Sequence, residues 1–387
     1  MIKSVHTTIS GGSFQRFAQA LPRCLGAIVL SSALFCGSMS APAAARRTAA
    51  HGKSVRGASA VVIPRRVLAL YYPWYGTPSF GGKWLHQDGV NTESRTMTSH
   101  THYPLSGPYD STDPAVIDRH LRQAKSAGID TLVCSWWGLQ DRSDKGIRML
   151  LKRAPKFAMT VCVFWEPYHS AFTQQDAQAD LTYILQAFGK QRGYLRYGGK
   201  PVVFLYSKTS QGLAPDQWVG ALNAVSGRER NGVLAIAENE TQAGASVWDS
   251  SYTLWPITRR DALYPDQSAQ SLHRTFQDQI SGSNSFHHPT VETIGPGYDD
   301  QKFNRSAGQN VAVLVGRQNG QRYRSLWEQT LKDAPDWVLI NSFNEWHNGT
   351  EIEPSSEMGD QYLQMTGTYA RRFKSGDAVP IHRSLRR

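Results

Sequence analysis

The stretch WVLINSFNEWHNGT, from Trp337 to Thr350, changes character half-way along. Trp337 to Phe343 is apolar and strand-length. Asn344, Glu345, Trp346, His347 and Asn348 then bring amides, a carboxylate, an indole and an imidazole together before Gly349 turns the chain. A run without polar alternation has both faces covered, as in a parallel sheet. Chemistry gathered at the C-terminal end of such a strand is the arrangement of an α/β barrel, whose sites form at that end.

Working outward, seven further runs match the first half of this stretch. They are VLALYY (67–72), DTLVCSW (130–136), AMTVCVFW (158–165), PVVFLYS (201–207), VLAIAE (233–238), SYTLW (251–255) and TVETIGP (290–296). Helical patterns fall between them, over 113–128, 144–153, 174–190, 214–225, 267–280, 321–333 and 357–373. The first has Asp113 as cap residue, Pro114 in its first turn and Gly128 at its end. Eight strand–helix units predict a single (β/α)₈ barrel over residues 66–387. A doubly wound open sheet is disfavoured, because YYPWYG after the first run lacks the glycine-rich turn of a dinucleotide site.

The other strand ends repeat the chemistry of the last. Tyr71-Tyr72-Pro73-Trp74-Tyr75 follows the first run, Trp136-Trp137-Gly138 the second, and Glu166-Pro167-Tyr168-His169 the third. Trp255-Pro256 and Gly297-Tyr298-Asp299-Asp300 follow the sixth and seventh. Aromatic faces stack on the C–H faces of sugar rings while carboxylates and amides take the hydroxyls, so this recurrence points to a carbohydrate cleft. A single Trp among these is more often core packing, as Tyr71 and Trp136 can be. Glycoside hydrolysis needs two carboxyl groups. Glu345 leads, since burial among Trp and His raises a carboxyl pKa. Glu166, Glu351 and Glu353 follow, and no metal or cofactor is called for.

Residues 1–45 have the layout of a secretory signal peptide: Lys3, Arg16 and Arg23 without acidic residues, an apolar run from Cys24 to Met39, then APAAA. The apolar run is too short and too often interrupted to span a membrane. Residues 46–65 read as a linker. The expectation is a secreted or periplasmic monomer, with no membrane insertion after cleavage. The leader carries three of the 42 basic residues and none of the 31 acidic ones, so about +8 remains. The positive residues form no stripe, and nucleic acid is not an expected partner. Cys134 and Cys162 are left, each inside a strand run. Buried thiols are the usual state there, and a disulfide requires the two strands to be neighbours in register.

The chain resembles glycoside hydrolase family 99, the endo-α-mannosidase and endo-α-mannanase family, and its family 99-like relatives. The resemblance rests on YYPWYG (71–76), GPYDSTDPAVIDRHLRQAKSAGID (107–130), SWWG (135–138), EPY (166–168), GKPVVFLY (199–206), GPGYDD (295–300) and SFNEWHNGTEIEPS (342–355). It implies a glycan or polysaccharide substrate. It implies that Glu345 deprotonates the sugar's own 2-hydroxyl, giving retention through a 1,2-anhydro sugar. It makes Glu166 a sugar-contacting carboxylate and Tyr72, Trp137, Tyr168 and Tyr298 binding positions beside Asn344, Trp346, His347 and Asn348.

The family's final motif usually reads N-E-W-H-E-G-T, and its second glutamate is the general acid and base. Here that position is Asn348. An amide cannot donate and retake a proton. Glu351 is the expected substitute acid, with Glu353 as the other carboxyl in the same loop; the alternatives are a linkage whose leaving group needs little protonation and a catalytically silent carbohydrate-binding barrel.

Overall fold

The structure is a computed structural model that describes residues 63–166, 171–226, 232–238, 247–254, 268–281, 288–308 and 313–376. The expected leader, most of the linker, and Pro167, Tyr168, His169, Trp255 and Pro256 lie outside the described residues.

Eight parallel strands form a nearly closed barrel: β1 Arg66–Tyr71, β2 Thr131–Trp136, β3 Thr160–Trp165, β4 Lys200–Leu205, β5 Leu234–Glu238, β6 Ser250–Tyr252, β7 Val291–Ile294 and β8 Trp337–Ile340. Their order is β6-β5-β4-β3-β2-β1-β8-β7. At the β6/β7 seam Ser250 Oγ donates to the carbonyl of Pro289 (2.7 Å), and Asn341 Nδ2, just past β8, reaches across to the carbonyl of Leu254 after β6 (2.9 Å).

The longer helices among the described residues are α1 Pro114–Ser126, α2 Arg142–Arg153, α3 Gln174–Tyr183, α4 Pro215–Ser226, α5 Ser268–Ser281, α6 Gln321–Asp333 and α7 Gln361–Ser375. Local chemistry sets their starts. Asp113 accepts from the amide of Ala115 and Asp141 from that of Ser143, both at 2.8 Å, and Thr173 with Asp176 forms a reciprocal capping box before α3. The helix expected over 174–190 is α-helical only to Tyr183 and continues as a π-helix, Ile184–Gly189. A small antiparallel pair, Tyr298–Asp299 with Leu314–Val315, was not anticipated from the sequence.

The strands are buried almost throughout, and Tyr71 and Trp136 are wholly core. Cys134 and Cys162 are free thiols. Their strands are neighbours, but Cys134 pairs with Val163 and Cys162 with Val133. This offset of one residue sends the thiols to opposite faces, so no disulfide can form.

In the layer between barrel and helices two acidic residues meet. Glu292 of β7 is 1% exposed and faces Asp333 of α6, which accepts from His273 Nδ1 of α5. Burial, then the charge of Asp333, pushes the Glu292 carboxyl well above its usual range. A carboxyl raised in the folded state stabilises below its unfolded pKa, and that contribution fades as pH rises toward the folded value. Glu292→Gln is therefore expected to melt like the parent near pH 4 and at higher temperature at pH 8. Thermal unfolding followed by circular dichroism checks this; a lower melting temperature at pH 8 would contradict it.

Candidate active site

The loop after β8 is held by its own small polar residues. The amide of Phe343 donates to the carbonyl of Leu70 (2.8 Å), tying the loop to the end of β1. It then doubles back. The amide of Ser342 donates to the carbonyl of Thr350 (2.9 Å), the two hydroxyls meet at 2.8 Å, and the amide of Glu353 donates to the carbonyl of Phe343 (2.8 Å). Gly349 closes the loop in the left-handed region at φ 55°, which favours glycine. The amide of Glu345 donates to Ser342 Oγ (2.8 Å), which fixes the backbone from which its carboxyl projects.

Glu345 is 2% exposed, and its Oε1 accepts from the amide of His347 at 3.0 Å. Burial raises its carboxyl well above the usual range. The amides of His347 and Asn348 oppose that, and the charges of Glu166 and Glu351 add to it. Glu166, just past β3, is raised to about 8 by burial and by Glu238, against a hydrogen bond from Ser135. Glu238, the last residue of β5, is raised to about 7 by burial, although its Oε2 accepts from the amide of Ser207 at 2.8 Å. Tyr72 has its hydroxyl pKa pushed up by burial and by the charges of Glu166 and Glu345. The barrel mouth thus gathers three carboxyls raised above the usual carboxylate range, Glu238 less than Glu166. Such perturbed groups in a cleft mark functional positions.

Aromatic rings line the same mouth. Tyr72 lies 4.7 Å from Trp74, between ring centroids, and Trp74 stacks on His86 at 4.6 Å and 7°. Trp137 stands 6.3 Å from Trp74, with Nε1 donating to Ser135 Oγ at 2.9 Å. Tyr298 is half-buried; its hydroxyl donates to Asp300 Oδ2 at 2.9 Å and lies 3.4 Å from Asn348 Oδ1. Asn348 is also half-buried, beside that hydroxyl.

Other expected binding residues support the site from behind. Asn344 is wholly buried, with Oδ1 accepting from the amide of Tyr72 (2.8 Å) and Nδ2 donating to its carbonyl (3.2 Å). Trp346 is wholly buried too, and its Nε1 donates to the Tyr109 hydroxyl at 3.1 Å. Both side chains make their polar contacts within the protein: the amide clamps the end of β1, and the indole packs in the core. His347 is 5% exposed with its ring 4.7 Å from Phe303, and Nε2 lies 3.1 Å from the His86 carbonyl. Burial, then His100 and His86, lowers its pKa well below the usual value. Its 3.4 Å approach to Glu345 Oε1 therefore joins a neutral ring and a carboxyl.

Glu351 also takes a different role from the expected one. It is 1% exposed, and its Oε1 accepts from Arg317 Nη2 at 2.6 Å and from His102 Nδ1 at 2.8 Å. Burial alone would raise its pKa, but Arg317 and His102 outweigh that and hold it below the usual value. A carboxylate kept ionised by a buried guanidinium has no proton to give, so Glu351 does not suit the acid role. Arg317 Nη2 also donates to the carbonyls of Gly349 (3.0 Å) and Glu351 (2.8 Å), so the pair braces the loop. Removing one partner of a buried pair typically costs about 3–5 kcal/mol. Arg317→Met is expected to lose stability of that order in urea unfolding, and the double variant Arg317→Met/Glu351→Gln to recover much of it. Simple additivity of the two changes would refute the pairing.

Glu238, Tyr206 and Tyr252 are site residues that the sequence reading passed over. The signal for Glu238 was present, since VLAIAE ends on a glutamate just as the third run leads into Glu166.

The family model described as glycosyl hydrolase family 99 matches residues 63–366. The chain belongs to that family. A glycoprotein endo-α-1,2-mannosidase of Mus musculus is 26% identical over 350 residues, 78% of this chain and 73% of the relative. A glycoprotein endo-α-1,2-mannosidase-like protein of Homo sapiens is 28% identical over 321 residues, 74% of this chain and 67% of the relative. The family 99 endo-α-mannosidase of Bacteroides thetaiotaomicron in complex with bis-tris-propane superposes with a TM-score of 0.67 at 24% identity, covering 82% of this chain and 100% of that one. At that identity the likeness speaks for the fold. The family 99 barrel spans the described site, from Tyr72 to Glu351.

Proposed function

We propose that this family 99 protein is an exported, retaining glycosidase acting within α-linked, mannose-like glycans or polysaccharides. The observation that carries the reading is Glu345, a buried carboxyl at the end of β8, raised well above its usual range and surrounded by Tyr72, Glu166 and the aromatic wall. The similarity to endo-α-1,2-mannosidases supports the substrate class, and the leader-like first 45 residues support export.

In this reading ionised Glu345 takes the proton of the sugar 2-hydroxyl. The 2-oxygen attacks the anomeric carbon, the bond to the leaving oxygen breaks, and water then opens the 1,2-anhydro sugar with net retention. Glu166 positions the sugar, and Glu351 with Arg317 braces the loop. With an amide at Asn348, the leaving oxygen departs with little proton assistance. Aryl α-mannosides with acidic phenols should therefore be cleaved faster than α-mannan.

Because Glu345 must be ionised to act as base, and its pKa lies above the usual carboxylate range, kcat/KM should rise with pH beyond that range. A pH–rate profile checks this; a rising limb centred near 4 would contradict it. Asn348 and the ion-paired Glu351 favour a second reading, a barrel that binds glycans without cutting them. Calorimetric binding of α-mannan by the parent, with no reducing ends released on long incubation, would select it.

A further inference from the structure

The mouth contains a buried carboxyl to which the reaction above gives no task. Glu238 ends β5, and the strand register determines its company. Trp165 of β3 pairs with Leu205 of β4, and Leu205 with Ala237 of β5. The ladder runs on past that rung, with the amide of Tyr206 donating to the carbonyl of Trp165 at 3.0 Å. Glu166, Tyr206 and Glu238 therefore occupy the next rung together and project to one side of the sheet. Tyr252 of β6 pairs directly with Glu238 and closes the row.

Glu166 Oε1 is buried without a hydrogen-bond partner among the described residues. Among the described residues the groups facing this carboxyl are Ser135 from β2, Tyr72 after β1, Tyr206 after β4, Tyr252 from β6, Glu345 after β8 and Glu238. None of these is a cation. On the far side of Tyr206, Glu238 accepts from the amide of Ser207, a hydrogen bond that favours its ionised form.

We propose that Glu238 is a positioning residue for Glu166: its negative charge, one strand beyond Tyr206, adds to burial in keeping Glu166 a neutral carboxylic acid that donates a hydrogen bond to the sugar. The two protons leave in order, Glu238 first and Glu166 second, because the first charge opposes the second. Their midpoints of about 7 and about 8 agree with that order. The substrate oxygen facing Glu166 would then be an acceptor, such as a ring or ether oxygen or a hydroxyl lone pair. This rests on Glu166 being the sugar-contacting carboxyl.

The first test needs no turnover. The protein is labelled with [δ-¹³C]glutamate, the Glu166 resonance is identified by its loss in Glu166→Gln, and its pH midpoint is followed by NMR. Glu238→Gln should lower that midpoint by roughly one unit, whereas Glu238→Asp, which keeps the charge, should leave it near the parent's value. A Glu166 midpoint unmoved by Glu238→Gln in a folded protein overturns the proposal. If Glu238→Gln does not fold, a parent-like midpoint in Glu238→Asp supports the proposal, and one lowered by a full unit despite the retained charge overturns it.

The second test follows hydrolysis of α-mannan. Glu238→Gln should move the alkaline rise in KM to lower pH, by more than it moves the kcat profile, which Glu166 reaches only through Glu345. A purely structural role would lower stability without moving either limb. An NMR shift without any turnover would uphold the coupling and reject the glycosidase reading, so the two failures are separable.

Discussion

Glu345→Gln is expected to abolish turnover of α-mannan and, in the same protein, to raise the melting temperature at neutral and alkaline pH. The amide keeps the shape and the contact with the His347 amide but cannot take a proton from a sugar hydroxyl. Loss of a general base typically lowers the rate by about 10²–10⁴-fold, and Glu351 does not replace it, because it is committed to Arg317 and His102. The gain in stability has the same origin. The folded-state pKa of Glu345 lies above its unfolded value, so its contribution is full at low pH and lost as pH climbs toward the folded value. Each unit of displacement corresponds to about 1.4 kcal/mol. Parent and variant should melt together near pH 4 and diverge by pH 8, with the variant higher. Reducing-sugar release and calorimetry at the two pH values read both effects. Unchanged turnover would remove Glu345 from the chemistry, and a less stable variant at pH 8 would show that its carboxyl is not held at a cost.

The second large effect expected is a gain. Asn348→Glu restores a carboxyl where the family motif carries one, and hydrolysis of α-mannan should rise by about 10²–10⁴-fold, the usual contribution of general acid–base help. The site is prepared for it. Position 348 is half-buried, its side-chain oxygen already lies 3.4 Å from the Tyr298 hydroxyl, and that hydroxyl also reaches Asp300. A glutamate there would lie among carboxyls and keep its proton near neutral pH, as an acid requires. The gain should be largest on natural glycans and small on aryl glycosides, whose leaving groups need little protonation. Equal gains on both, or none on either, would show that the amide is not what limits the parent.

How much of this could be read in the chain follows from how far each signal travels. Strand runs, helix starts such as Asp113-Pro114 and the position of Glu345 are local. An apolar run with polar groups at its end reveals a parallel strand and its catalytic end without knowledge of its neighbours, and all eight strands stand where such runs predict them. What depends on partners distant in sequence was not legible. Glu351 looks like Glu345 until Arg317, 34 residues away, is brought against it and fixes its charge. Trp346 and Asn344 look like sugar ligands until Tyr109 and Tyr72 close over them. The one-residue offset that parts Cys134 from Cys162 belongs to strand register, as does the rung that aligns Glu166 with Glu238. The sequence by itself determined a family 99 barrel and the strand end that carries its chemistry, because hydrophobic period and local motifs are properties of contiguous residues. Which carboxyls hold protons and which side chains face the cleft was decided only by the tertiary structure, because desolvation and charge pairing are set by groups that folding brings together from opposite ends of the chain.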